Sequence, residues 1–141
     1  MSSTLQTLTE LMLGFPRVMH DHFKKQNKTW PYSILHMKTL HYIQEHSDVT
    51  MHSIAELFSI TPPSATSLVG GLVKTGYLSR SVDSKDRRIV HLSLTAKGKK
   101  ILAEGLGRMA LHMKELIMKL NAAEQQQLIK ILQKLQRTFT E

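Results

Sequence analysis

The chain has 141 residues, of which 41% are hydrophobic and 21% are charged. This length and composition predict one folded domain with a buried core. The absence of cysteine excludes disulfide frameworks, thiolate zinc sites and thiol nucleophiles. No apolar run approaches the roughly 20 residues that a membrane span needs, so we expect a cytoplasmic protein without membrane contact.

The charge of the chain favours an anionic partner. Nineteen Lys and Arg against eleven Asp and Glu give a formal net charge of +8. Residues 50–100 contain eight of the basic residues and only three of the acidic ones. A basic surface concentrated in one region is typical of proteins that bind nucleic acid.

The first third of the chain predicts two helices. Apolar residues at three- and four-residue spacing predict a first helix over about residues 4–26. After the break at Trp30-Pro31, Ser33 is a candidate N-cap for a second, shorter helix that ends near His46.

The next segment has the pattern of a helix-turn-helix. A third helix after Thr50 is expected to bury four apolar side chains. These are Ile54, Ala55, Leu57 and Phe58. Thr61 is a candidate N-cap for a fourth helix, with Pro62 at its first position, where a missing N–H costs nothing. Gly76 is expected to end that helix.

The apolar period changes from 3.6 to 2 after Gly76. Residues 77–82 and 88–94 alternate as two strands, and the charged segment 83–87 between them predicts a hairpin loop. The sequence therefore predicts a helix-turn-helix followed by a β-hairpin with a basic tip.

Two further helices are predicted after Thr95. The first extends to about Leu120, and Asn121 with Glu124 forms a candidate capping box for the last helix. The apolar stripes on residues 8–23 and 128–139 are too long for one small core to cover. The simplest way to bury these stripes is against a second subunit, so we expect a homodimer.

Three strings around the predicted hairpin carry a family resemblance. They are Gly76-Tyr77-Leu78, Asp83-Ser84-Lys85-Asp86-Arg87-Arg88 and Leu92-Ser93-Leu94-Thr95-Ala96-Lys97-Gly98. They resemble the wing and the following helix start of the MarR family of bacterial winged helix-turn-helix regulators. The resemblance implies a mainly α fold with a small β-hairpin wing (α+β) in a single domain over residues 1–141. It places the winged helix-turn-helix at about 32–94, and the dimerisation helices at about 4–28 and 95–141.

The resemblance also implies a function. A homodimer of this kind places one helix of each subunit in a major groove and one wing in the flanking minor groove of a pseudo-palindromic operator. A major groove admits one helix, whose N-terminal side chains read the base edges. We therefore expect the fourth helix to contact double-stranded DNA through Ser64, Thr66, Ser67 and Lys74.

The wing has its own candidate contacts. Asp86 and Arg88 stand two apart, so they can lie on one side of an extended segment and pair. By resemblance Arg88 is the family's minor-groove arginine and Asp86 its orienting partner, while Lys85 and Arg87 suit phosphate contacts.

One departure from the family pattern lies in the fourth helix. Gly70-Gly71 occupies positions where family members commonly carry charged residues, and Ser67 stands where an arginine is common. We expect this helix to be less rigid and less cationic than its relatives, so that the wing carries more of the electrostatic attraction.

Other kinds of site have weaker support in the sequence. The eight histidines show no paired ligand spacing, and no nucleophile triad, phosphate loop or carboxylate dyad is evident. We expect a non-enzymatic protein without cofactor or metal, acting on DNA as a repressor that a small anionic or aromatic effector releases. The alternatives are a winged-helix dimer that binds a protein instead of DNA, and a metal-responsive regulator.

The resemblance places an effector where the dimerisation helices meet the winged segment. Position and chemistry make four residues candidates for that pocket. They are Arg17, Trp30, Tyr32 and His36.

Overall fold

The structure is a computed structural model that describes residues 2–140, and it follows the predicted order of helices and strands. Six helices and one antiparallel hairpin form the chain: α1 (Ser3–Gln26), α2 (Ile34–Glu45), α3 (Met51–Phe58), α4 (Pro62–Lys74), β1 (Leu78–Val82), β2 (Val90–Leu94), α5 (Ala96–Ile117) and α6 (Ala122–Thr140). The predicted fold class, mainly α with a small β-hairpin wing, is confirmed.

Local hydrogen bonds explain where the helices begin. The side chains of Ser33, Thr50 and Thr61 accept backbone N–H groups in the first turns of α2, α3 and α4. Asn121 and Glu124 form the predicted reciprocal capping box, with distances of 2.8 and 3.0 Å. Each cap satisfies N–H groups that the helix itself leaves without a partner.

The helix-turn-helix packs as predicted except at one residue. Ile54 and Ala55 of α3 are buried, and Phe58 is partly buried, but Leu57 is 43% exposed. The expected burial of Leu57 is wrong because Ile54, Ala55 and Phe58 already define the inward face of this eight-residue helix, and Leu57 lies on its flank. Ser59, with φ of 50°, ends α3 before the turn into α4.

Both strands are shorter than predicted. β1 pairs with β2 from Leu78 opposite Leu94 to Val82 opposite Val90. Residues 88 and 89 are outside β2 because their N–H groups bond to the side chain and carbonyl of Asp86 instead of to β1. The turn therefore takes two residues that the alternating pattern assigned to the strand.

The chain divides into two compact units at Leu106 and Gly107, within α5. The first unit has one hydrophobic core built from α2, α3, α4, the hairpin and the first part of α5. Its buried members include Leu40, Ile54, Val69, Leu72, Leu92 and Leu102.

The second unit contains the rest of α5 and α6. α5 ends at Ile117, three residues before the predicted end, because the N–H groups of Lys119 and Leu120 close tight i−3 bonds ahead of the cap at Asn121.

Within residues 2–140 there is no helix with the length and apolar character needed to cross a membrane.

A close backbone contact joins the end of α4 to the start of α5. Gly76 has φ of 82° and ends α4 with paired bonds from Gly76 N–H to the Val73 carbonyl and from Tyr77 N–H to the Leu72 carbonyl. The Tyr77 carbonyl then accepts the N–H of Thr95, and the Thr95 hydroxyl donates to the Gly76 carbonyl.

Gly98 makes this junction possible. A Cβ on Gly98 would overlap the Tyr77 carbonyl oxygen and lie 2.9 Å from the carbonyl carbon, and both atoms are backbone with little freedom to move. The glycine of the Leu-x-Leu-Thr-x-x-Gly string is thus required by the approach of two backbones.

We predict that Gly98→Ala destabilises the protein by about 1–3 kcal/mol, because the added methyl group must push α5 away from the turn at Tyr77. Gly107→Ala is the matched control in the same helix, since a Cβ there meets nothing within 4 Å. That control should gain about 0.5–1 kcal/mol from the lost backbone freedom of glycine. Denaturant unfolding at one protein concentration measures both, and an unchanged Gly98→Ala midpoint would contradict the prediction.

Candidate nucleic-acid interface

The loop between the strands, residues 83–89, is organised by the carboxylate of Asp83. Its Oδ2 accepts the backbone N–H groups of Lys85 and Asp86 at 2.9 and 2.8 Å. The Asp83 N–H donates to the carbonyl of Ile89 across the base of the loop, at 2.9 Å. A side chain that bonds to the backbone two and three residues later fixes the shape of a turn.

Asp86 and Arg88 make the predicted contact at the wing. Arg88 Nε and Nη2 donate to the two carboxylate oxygens of Asp86 at 3.1 and 3.0 Å, and the Arg88 backbone N–H donates at 3.0 Å. The Arg88 side chain bonds hold the pKa of Asp86 below its ordinary value. The Arg88 side chain is nevertheless 90% exposed, whereas that of Asp86 is 34% exposed. The guanidinium is thus oriented by one edge and open to a ligand on the other.

The other two predicted wing residues are also open to solvent. Lys85 and Arg87 are exposed on either side of the half-buried Asp86. Their roles as phosphate contacts remain predictions.

Asp83 has a second partner on β2. His91 Nε2 donates to Asp83 Oδ1 at 2.9 Å, and the two side chains are 29% and 27% exposed. This bond and the two backbone N–H groups keep the pKa of Asp83 below its ordinary value, with His91 as the largest cause.

The predicted recognition helix, α4, exposes all four of its candidate residues: Ser64, Thr66, Ser67 and Lys74. Two of the hydroxyl groups have local bonds. Thr66 donates to the Pro62 carbonyl at 3.0 Å, and Ser64 accepts from the Thr61 hydroxyl at 2.9 Å. A hydroxyl has one donor and two acceptor sites, so each retains capacity for a further bond.

The glycine pair of α4 leaves space that a cation from the hairpin partly fills. Arg80 of β1 places its Nη2 3.5 Å from where a Cβ of Gly70 would lie. A Cβ on Gly71 would meet nothing within 4 Å. The helix surface thus lacks side chains at both positions, and an arginine from the hairpin lies beside the first of them.

The predicted effector residues are only partly brought together. A cavity of about 270 Å³ lies between the end of α1 and the start of α2, and Trp30, Tyr32 and Lys24 line it. Arg17 and His36 are not among its lining residues.

Trp30, Tyr32 and His36 each have structural contacts as well. The rings of Trp30 and Tyr32 meet edge to face with centroids 5.3 Å apart. The Tyr32 hydroxyl bonds to that of Tyr77, which, with burial, raises the pKa of Tyr32 to about 12. Burial lowers the pKa of His36, whose Nδ1 accepts the Ser33 N–H at 3.1 Å in the α2 capping box.

Three residues make contacts at or beside the wing that the sequence did not lead us to expect. They are Asp83, His91 and Arg80. The role of Asp83 in the turn could have been predicted, because an aspartate side chain commonly accepts N–H groups two and three residues later in a turn. His91 and Arg80 carry no such signal, since their contacts depend on strand register and on the approach of β1 to α4.

The part of the chain that the structure describes contains no group of three or more His, Asp or Glu side chains that could hold a metal ion.

Comparisons with known proteins agree with this architecture. Residues 32–89 match the model of the MarR family. The HTH-type transcriptional regulator YfiV of Bacillus subtilis (strain 168) is 35% identical over 69 residues, which are 49% of this chain and 43% of that protein. The chain therefore spans less than half the length of this curated relative.

The fold is shared with solved regulators at low sequence identity. MepR, a transcription regulator of the Staphylococcus aureus multidrug efflux pump MepA, superimposes with a TM-score of 0.80 at 20% identity, over 93% of this chain and 97% of that one. The S. aureus MepR–DNA complex gives 0.66 at 21% identity, over 92% and 96%. A mutant of MarR from E. coli gives 0.80 at 21% identity, over 91% and 95%. Residues 32–89 thus match the MarR family within a fold that the chain shares with MepR and MarR, and the resemblance predicted from the wing strings is confirmed.

Proposed function

We propose that the protein is a homodimeric, sequence-specific regulator of transcription that binds double-stranded DNA and carries out no catalysis. The observation that carries the proposal is the Asp86–Arg88 pair, which holds an exposed guanidinium at the tip of a hairpin. Arginine suits a narrow minor groove because its charge is permanent and the groove concentrates negative potential.

Several further features support binding to DNA. α4 exposes hydroxyl groups along its N-terminal half, the part of a recognition helix that approaches base edges. Lys85 and Arg87 lie next to the arginine of the wing, where phosphate contacts would set the affinity and the register. The MepR–DNA complex has the same fold.

The proposed dimer rests on apolar residues of the terminal helices. Leu8, Leu11, Met12, Phe15 and Val18 of α1 are each more than half exposed. On α6, Ile131, Leu132 and Phe139 are also more than half exposed. Two copies of the chain would bury these stripes against one another and place two copies of α4 about one helical turn of DNA apart.

We also propose that a small ligand acts through the cavity beside Trp30, and that the protein is a repressor which this ligand releases. The cavity of about 270 Å³ is close to the lower limit for small-molecule sites. Two aromatic rings and the ammonium group of Lys24 suit a small aromatic acid.

Arg88→Ala should weaken binding to the DNA upstream of the protein's own gene by about 5- to 150-fold and make the dependence on salt shallower. Asp86→Ala should also weaken binding, although it removes a negative charge, because the guanidinium loses its orientation. Fluorescence anisotropy across a salt series measures both. Lys119→Ala removes an equal charge outside α4 and the wing and should change neither. Tighter binding by Asp86→Ala would show that Asp86 does not orient Arg88, and no preference for this DNA over a scrambled fragment would contradict the proposed function.

Light scattering at micromolar concentration should give twice the 16.1 kDa mass of the chain. Leu132→Glu should shift the protein toward the monomer, because it places a carboxylate in the proposed apolar interface. Gln133→Glu adds the same charge at the next, polar position of α6 and should remain dimeric. A wild-type monomer would contradict the proposed dimer and the operator with two half-sites.

Benzoate should change the fluorescence of Trp30, the single tryptophan of the chain, and should release DNA over the same concentration range. Lys24→Met should weaken the effect, because it removes the cation while keeping a side chain of similar length. Cyclohexylmethanol, which has no carboxylate, serves as the control ligand. DNA release without a fluorescence change would place the effector elsewhere.

A further inference from the structure

The carboxylate of Asp83 uses both of its oxygens, and each faces a different part of the wing. Oδ2 accepts the N–H groups of Lys85 and Asp86 inside the loop. Oδ1 accepts from His91 Nε2 on β2, at 2.9 Å. Asp83 therefore connects the loop to a strand at a residue eight positions along the chain.

His91 is attached to the helix-turn-helix as well as to the wing. Its backbone forms a β-bridge with Thr50, whose side chain caps α3. The N–H of the next residue, Leu92, donates to the carbonyl of Val49 at 2.8 Å. The residue that holds Asp83 is thus anchored to the segment that leads into α3.

The orientation of the His91 ring is set by its bond to Asp83. A carboxylate only accepts hydrogen bonds, so Nε2 carries the proton that is shared with Asp83. Nδ1 is buried, and among residues 2–140 it has no hydrogen-bond partner. Among the described residues, the His91 side chain therefore makes its hydrogen bond to Asp83.

A continuous series of hydrogen bonds leads from His91 to the wing arginine. His91 holds Asp83, Asp83 holds the N–H of Asp86, and the Asp86 carboxylate holds the guanidinium and N–H of Arg88. We propose that His91 is a positioning residue for DNA binding, which through Asp83 fixes the wing loop to the start of α3 and so orients Arg88. The proposal rests on the proposed function of the wing.

We call the hydrogen bond between His91 and Asp83 the brace. The brace would raise the affinity for DNA by ordering the wing before DNA binds. A loop or side chain that binding must order reduces the affinity, and one that is ordered beforehand does not. Residues 84, 85, 87 and 88 are exposed, so they have little packing to order them. The bonds of Asp83 and Asp86 therefore do most of this ordering.

The brace is tested first without DNA, by NMR of the intact protein. His91→Leu keeps an apolar side chain but removes the donor, and His91→Gln keeps a donor that can reach Asp83. In the wild type the pKa of Asp83 should lie below the ordinary value of an aspartate, because His91 and two backbone N–H groups donate to its carboxylate. His91→Leu should raise this pKa and speed amide exchange at Lys85 and Asp86 several-fold, and His91→Gln should restore most of both. His41→Leu, the same change at an exposed site on α2, is the matched control.

A second variant keeps this test decisive if His91→Leu does not fold. His91→Phe keeps an aromatic ring at this position of β2 but removes the donor to Asp83, and it should raise the Asp83 pKa and speed the exchange of the same two amides. Unchanged exchange at Lys85 and Asp86 in the folded variants, or an Asp83 pKa that does not respond to His91→Leu, would overturn the brace.

The link to Arg88 is tested by a double-mutant cycle on the DNA upstream of the protein's own gene. His91→Leu should weaken binding about 3- to 10-fold when Arg88 is present, and less than about twofold in the Arg88→Ala background. Equal losses in the two backgrounds would overturn the positioning role, because a merely structural defect acts in both. If the wild type shows no preference for this DNA, the proposed function and the DNA-binding role of His91 both fail, while the NMR measurements still decide the brace.

Discussion

The approach of Gly98 to the carbonyl of Tyr77 fixes the root of the wing. Three chain segments meet there: the glycine turn that ends α4, the start of β1 and the first turn of α5. Thr95 makes three bonds at this junction: its backbone N–H donates to the Tyr77 carbonyl, and its hydroxyl donates to the Gly76 carbonyl and accepts the N–H of Gly98. The hairpin leaves and returns to the same few backbone atoms, so backbone hydrogen bonds add to the packing of Leu78 and Leu92 in setting its direction relative to α4.

At the far end of the hairpin, the carboxylates of Asp83 and Asp86 order the loop by accepting hydrogen bonds. Acidic side chains lower the positive charge of the wing, which opposes the long-range attraction to DNA that the proposed function requires. Asp83 and Asp86 offset this loss of positive charge by ordering the loop. Besides the bond from His91, they accept backbone N–H groups of the loop and the Arg88 guanidinium. A permanent cation in a fixed orientation is more selective for a narrow groove than several mobile cations.

Local signals allowed much of this to be predicted. The caps at Thr61 and Asn121, the change of period after Gly76 and the Asp86–Arg88 spacing each depend on residues within a few positions of one another. The Asp83–His91 bond could not be predicted, because it depends on the strand register and on a turn that shortens β2. The cavity beside Trp30 excludes Arg17 for a related reason: position along α1 does not tell which residues the α1–α2 connection approaches.

Because of the glycine pair in α4, the proposed interface would obtain most of its positive charge from the hairpin and less from the recognition helix. Serine and threonine hydroxyls discriminate bases less sharply than a bidentate arginine does, and α4 has only Lys74 as a cation within its bounds. Arg80 lies beside Gly70 but belongs to β1, so positive charge next to the helix is supplied by the same hairpin that carries Arg88. Affinity and groove-shape readout would then both depend on the placement of the hairpin. The close approach at Gly98 and the proposed role of His91 both restrict the movement of the hairpin, as such a division requires.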